Sequence, residues 1–271
     1  EWNYRIRAQL KIDQLKKNIG FYKKGTNTVI KIGSCPLLDE NINTILKDQD
    51  KIFDYIPEKN KQLKIIAGMN NELASYPVIN KMTKKSINLR IGNSRFVISG
   101  NSFFQGNKLL LKRLGLWAYP YVEGLLLADM YGGVGFFSTM LGKKFQKIII
   151  VENIEKQIDL ARLNYIQNGI PQFRIVRKNV EEFINKEKYR SEKPDCIIID
   201  PPRSGLTKIV REGIKILNPG SIIYFSCNPS TQARDVGFLV HSCHYYIKKA
   251  ALFDLYPNTH HMETALLLER N

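Results

Sequence analysis

The chain has 271 residues and is 44% apolar, enough to bury a core in one large or two smaller domains and too much for a disordered tail. Its 41 Lys and Arg against 25 Asp and Glu leave a net charge of +16. That excess favours a polyanionic partner such as nucleic acid, with a generally basic enzyme as the plainer alternative. Four scattered cysteines, Cys35, Cys196, Cys227 and Cys243, form no CxxC pair, which excludes a zinc ribbon and argues against a disulfide scaffold. The opening EWNYRIRAQ is no signal peptide, and the longest uncharged stretch, 216–233, is broken by two prolines and a glycine. The expectation is therefore a cytoplasmic protein with no membrane segment.

The first third alternates apolar and polar residues over 4–12, 18–25, 28–32 and 86–92, as half-buried strands do. Between them, 36–58 reads as one helix, opened by Pro36 and closed before Pro57. Residues 1–98 hold 18 Lys and Arg against 9 Asp and Glu, so +9 of the charge falls here. This part is expected to be a small α+β domain.

From about residue 99 the pattern changes. Apolar strands are expected at 124–131, 147–152, 173–178, 195–200, 221–227, 244–256 and 262–270, with an amphipathic helix over 153–169 stopped by Gly169 and Pro171. Strands alternating with helices predict an α/β, Rossmann-like domain over 99–271, whose seven-stranded sheet binds ligands at the strand C-terminal ends. No helix separates the last two strands, so the seventh is expected to run antiparallel.

Four motifs fall at those ends. The run from Asp129 to Gly135 reads DMYGGVG, in which glycines let the backbone turn sharply and approach a ligand. Glu152 ends the next strand, where a carboxylate can accept both ribose hydroxyls of an adenosyl group. The third glycine of a dinucleotide fingerprint is missing and Phe136-Phe137 stand in its region, so a nucleoside without phosphates suits the site better. Asp200-Pro-Pro-Arg203-Ser-Gly-Leu206 forms a rigid loop at the fourth strand. Amine methylases place an aromatic residue after the prolines; Arg203 here argues for another acceptor and a phosphate contact. In Phe225-Ser-Cys-Asn-Pro229, Cys227 emerges at a strand tip before a helix start, and helix dipoles are expected to lower its thiol pKa. Cys196 and Cys243 read as core residues. In Tyr256-Pro-Asn-Thr-His-His-Met-Glu263, Glu263 is a candidate general base. His260 and His261 either position a substrate or face solvent, and no metal is expected.

A methyl donor beside a cysteine suits an acceptor carbon that needs activation. Thiolate addition to carbon 6 of uracil makes carbon 5 nucleophilic, and a base then removes the carbon 5 proton as the thiolate leaves. ADMYGGVGFFS, IIIVENIEKQIDLARLN, IIIDPPRSGL, IIYFSCNPSTQARDV and LYPNTHHMETALLLER resemble, in order, the motifs of the RNA uracil-5-methyltransferase family over about 100–271. Upstream, SFFQGN, YRIRAQ and GFYKKG through CPLL resemble the family's cofactor-contacting segment and RNA-holding central subdomain.

The resemblance implies that Gln105, Tyr131, Gly133, Gly135, Glu152, Asn179 and Asp200 bind S-adenosylmethionine. It makes Cys227 the nucleophile and Glu263 the base, and puts Arg203 on the substrate side. Ribosomal RNA is the expected substrate, with transfer RNA or a non-catalytic RNA-binding factor as alternatives; a cytosine enzyme would carry its nucleophile in the Pro-Pro loop or a Pro-Cys pair. Phe136 departs from the family's small polar residue. No TRAM barrel is visible, and Cys35 resembles the last of four iron–sulfur cysteines whose other three are not here, so no cluster is expected. A monomer is expected.

Overall fold

A computed structural model describes residues 2–186 and 192–271. The chain divides into two compact units, Glu1–Leu111 and Lys112–Asn271. The change of sequence pattern at residue 98 falls earlier, at the end of a hairpin. The stretch that follows is hydrogen-bonded into the first unit, with Ile6 N donating to Gly106 O at 2.8 Å and Lys108 N to Tyr4 O at 3.0 Å.

In the first unit, β1 (Arg7–Asp13), β2 (Asn18–Tyr22), β3 (Val29–Lys31), β4 (Gln62–Ala67) and β5 (Leu73–Tyr76) form an antiparallel sheet in the order β3-β2-β1-β4-β5. Alternation turns Ala8, Leu10 and Ile12 of β1 inward. The helix expected over 36–58 is instead two, α1 (Glu40–Lys47) and α2 (Gln49–Phe53). Asp48, at φ −107° and ψ 41°, leaves helical geometry and ends the first. The break brings Gln49 into the interior, where its side-chain oxygen accepts from Ile19 N at 3.0 Å. A hairpin of β6 (Ser86–Ile91) and β7 (Ser94–Ser99) turns at Gly92.

Helix α3 (Leu111–Leu116) begins at the division. The second unit then runs β8 (Gly124–Met130), α4 (Phe136–Leu141), β9 (Phe145–Glu152), α5 (Glu155–Gln167), β10 (Phe173–Arg177), α6 (Val180–Asn185), β11 (Cys196–Ile199), α7 (Lys208–Leu217), β12 (Ser221–Ser226), α8 (Pro229–Cys243), β13 (Tyr245–Phe253) and β14 (Glu263–Arg270). The sheet order is β10-β9-β8-β11-β12-β14-β13; β14 alone runs antiparallel to both its neighbours, as expected. Central strands are buried on both faces, so they read as continuous apolar runs rather than alternating ones. Ile149, Ile197 and Ile222 of the sheet pack with Val210, Ile214 and Leu239 of α7 and α8. Asn179, Thr207 and Asn228 cap α6, α7 and α8 with side-chain oxygens. No helix among the described residues is long and apolar enough to cross a membrane.

Candidate active site

Sheet register gathers the site. Met130 is level with Val151 of β9 and with Ile199 of β11, and Ile199 with Tyr224 of β12. One residue further on, Tyr131, Glu152, Asp200 and Phe225 therefore share the C-terminal edge of the sheet. β14 continues the edge from the other direction, pairing Thr264 with Ser226. The next residues out, Cys227 and Glu263, consequently lie opposite each other.

The glycine turn is built on left-handed backbone. Tyr131, Gly133 and Gly135 have φ of 67°, 55° and 75°. A non-glycine at such an angle stores strain, which native structures tolerate chiefly at functional sites. At Gly132 a Cβ would come within 2.3 Å of Ile150, so only glycine lets the loop lie so close to β9. Gly133 N donates to Glu152 Oε2 at 2.9 Å, while Asn153 N and Ile154 N donate to Oε1 at 2.8 Å. Those bonds fix the carboxylate at the rim of a cavity of about 300 Å³ lined by Tyr131, Glu152, Asn179, Val180, Pro202 and Gly205, among others. Asn179 reaches it with a side chain committed to capping, its Oδ1 accepting from Glu182 N at 2.7 Å. Gln157 Oε1, buried without a hydrogen-bond partner among the described residues, lies 3.5 Å from the point where a Cβ on Gly133 would stand. An acid at a strand tip, an apolar wall and a backbone cradle with a spare acceptor suit an adenosyl group bearing an amino-acid tail, the shape of S-adenosylmethionine. Phe136 turns inward, its ring 4.9 Å from that of Phe137, which stacks on Phe225 at 3.9 Å. It is core. Gln105 is buried in the first unit.

Four carboxyl groups, Asp129, Glu152, Asp200 and Glu263, gather at or just inside the sheet edge. Burial pushes Asp129 up to about 7, opposed by the hydrogen bond from Ser138 and reinforced by the charge of Glu152. Desolvation and then the charge of Asp129 raise Asp200 to about 7. Glu263, 5% exposed, is raised to about 8 by burial and then by Asp200. Its Oε1 has no hydrogen-bond partner among the described residues. Cys227 departs from the sequence expectation, since its thiol pKa is raised rather than lowered. Burial and the charge of Glu263 push it up, and the hydrogen bond and charge of Arg203 pull against them. Arg203 is exposed; its Nη2 is 3.2 Å from His261 Nδ1. Its carbonyl accepts from Asn228 Nδ2 at 3.0 Å and Thr231 Oγ1 at 3.2 Å, joining the Pro-Pro loop to the start of α8. Among the described residues no group of three metal-ligating side chains occurs, and the four cysteines are free.

One buried group escaped the sequence reading. Asp235 of α8 is fully buried. Its Oδ2 accepts from Leu206 N at 2.7 Å and Tyr224 OH at 2.8 Å, and its Oδ1 meets Arg211 at 2.7 Å and Arg234 at 2.8 Å. It anchors the far end of the Pro-Pro loop, whose Gly205, at φ 73°, would put a Cβ 2.5 Å from that carboxylate. The adjacent Arg-Asp of QARDV was its sole trace in the sequence.

This strand order and this edge site define the Rossmann-like fold of S-adenosylmethionine-dependent methyltransferases. The structure of the Pyrococcus abyssi tRNA (uracil-54, C5)-methyltransferase in complex with S-adenosyl-L-homocysteine superposes with a TM-score of 0.77 at 26% identity, covering 98% of this chain and 76% of that one. The model of the tRNA (uracil-5-)-methyltransferase family matches residues 78–271, well over half of the sequence, and the chain belongs to that family. An uncharacterized RNA methyltransferase of Nanoarchaeum equitans is 33% identical over 83% of this chain and 50% of its own length. The 23S rRNA (uracil(1939)-C(5))-methyltransferase of Salmonella typhi is 25% identical over 99% of this chain and 71% of its own. The chain thus spans about half the length of the first of these relatives.

Proposed function

We propose that the chain transfers a methyl group from S-adenosylmethionine to carbon 5 of a uridine in 23S ribosomal RNA, through a covalent adduct on Cys227. The observation that carries this reading is the register of β12 against β14, which sets a half-exposed thiol opposite a buried carboxyl at the sheet edge. A nucleophile and a base in one place answer the two demands of an acceptor carbon that is unreactive alone.

Glu152 and the Tyr131–Gly135 turn would hold the cofactor, with Asp200 and Asn179 as further contacts. Bound there, it supplies an electrophilic methyl group. Cys227 Sγ forms a bond to carbon 6 of the uracil, and the electron pair of the 5,6 double bond moves toward carbon 5 and the 4-oxygen. Arg203, beside the thiol, favours its ionised form and faces solvent where a phosphate could approach. Once carbon 5 carries the methyl group, Glu263 takes the proton from that carbon, the double bond re-forms and the carbon–sulfur bond breaks. The target base has to leave its stack for the thiol to reach carbon 6.

Support for ribosomal RNA comes from the Salmonella typhi relative, which aligns with nearly the whole chain. The Pyrococcus abyssi structure favours a second reading, transfer RNA. Incubating the protein with unmodified 23S and transfer RNA and mapping 5-methyluridine by mass spectrometry separates them. Modification of neither, with the cofactor bound, would leave a non-catalytic RNA-binding factor.

A further inference from the structure

The five-stranded sheet of the first unit has an apolar face and a face of cations and rings. Arg7, Gln9 and Lys11 lie on the side of β1 opposite buried Ala8, Leu10 and Ile12. Register extends that side across the sheet: Gln9 is opposite Lys64 and Lys64 opposite Tyr76, while Lys11 is opposite Gly20 and Gly20 opposite Lys31. Tyr22, two residues beyond Gly20, shares the side, and Lys11 Nζ is 5.2 Å from the centre of its ring. The Arg7 guanidinium is 5.4 Å from the ring of Phe103. Lys64 Nζ donates to Asn101 Oδ1 at 2.9 Å, and Lys31 meets Asp50 at 3.7 Å in an exposed pair of little strength. Among the outward positions of these strands, all described residues, only Asp13 is acidic.

Tyr22, Tyr76 and Phe103 are 43%, 46% and 51% exposed. A merely solvated basic face has no use for three such rings, and a protein-docking face is poor in lysine, whereas Lys11, Lys31 and Lys64 stand among them here. Flat rings between cations on an antiparallel sheet are what unpaired bases stack upon while lysines and arginines draw the phosphates. Arginine and lysine already resting on two of the rings add cation–π attraction and hold those rings in place.

We propose that this face is a stacking platform for unpaired bases of single-stranded RNA, with Tyr22, Tyr76 and Phe103 under the bases and Arg7, Lys11 and Lys64 on the backbone. It rests on the RNA-directed reading above and names where and how the first unit takes the strand.

The test uses the full chain and a fluorescent single-stranded RNA oligonucleotide at fixed salt. Tyr22→Leu combined with Phe103→Leu keeps apolar bulk but removes the ring faces, and anisotropy should read affinity weaker by about tenfold or more. Tyr22→Phe, which keeps the ring, should bind like the wild type. Lys11→Gln with Lys64→Gln should make the slope of log K against log salt shallower by about 1. At saturating RNA the leucine variant should keep the wild-type kcat and S-adenosylmethionine affinity while its KM for RNA rises. Leucine variants that bind as tightly as the wild type would overturn the platform, as would an equal loss on a fully paired RNA duplex. A wild type that methylates no RNA, beside leucine variants that lose the oligonucleotide, would overturn the enzymatic reading and leave the platform standing.

Discussion

At the scale of residues, the pairing of Cys227 with Glu263 dictates how activity should depend on pH. Glu263, raised to about 8, holds its proton at neutral pH, and the Cys227 thiol is raised as well. In the proposed reaction both groups act deprotonated, so turnover should climb as pH rises toward and through about 8. Glu263→Gln should lower turnover by about a hundredfold or more. It should also accumulate a protein–RNA adduct, seen as a slow band on a denaturing gel. Cys227→Ala should show neither methyl transfer nor adduct in a tritiated-methyl assay, with calorimetry still reporting cofactor binding. The place of both residues at the sheet edge was legible in the sequence because each follows or opens an apolar strand. Their electrostatics were not. The lowering foreseen at Cys227 is outweighed by burial and the charge of Glu263, with Arg203 pulling against them, and those neighbours are set by strand pairing rather than chain proximity.

At the scale of elements, the Pro-Pro loop and α8 are tied together through Asp235. Asp235→Ala would leave Arg211 and Arg234 facing a void and free the amide of Leu206. The loss should be about 3 kcal/mol, read as a lowered denaturant midpoint. The glycine turn makes a second case: Gly135→Ala at φ 75° would meet the Tyr165 ring at 3.0 Å, costing about 1–2 kcal/mol and weakening cofactor affinity. Strands with clean alternation, such as β1 and β6, or with long apolar runs, such as β9 and β12, could be read directly. β4 could not, because Ile65, Ile66 and Ala67 are all buried and hide the period of two. The break at Asp48 was equally hidden, since apolar spacing continues across it and only the backbone turn brings Gln49 to Ile19. Asp235 was invisible because an Arg-Asp pair on a helix ordinarily faces water.

Across the whole molecule, charge acts in two opposing ways. The +16 excess should make RNA affinity fall steeply with salt. The sheet edge is acidic instead, and its burial links folding to protons. Asp129 has an ordinary value of 3.8 and rises to about 7 on folding, so the folded state takes up a proton. Its contribution is complete below about pH 4 and is lost as pH rises through about 7. Asp129→Asn should therefore flatten the pH dependence of the denaturant midpoint between pH 4 and 7. One topological detail has a temporal consequence. β14, which carries Glu263 at its first residue, enters the sheet between β12 and β13, both earlier in the chain. During synthesis β12, which leads to Cys227, is finished first and must wait, its edge open, for a partner made only after β13. Glu263 reaches Cys227 in the same event that closes the gap between β12 and β13, so a half-made chain can present the thiol without the carboxyl.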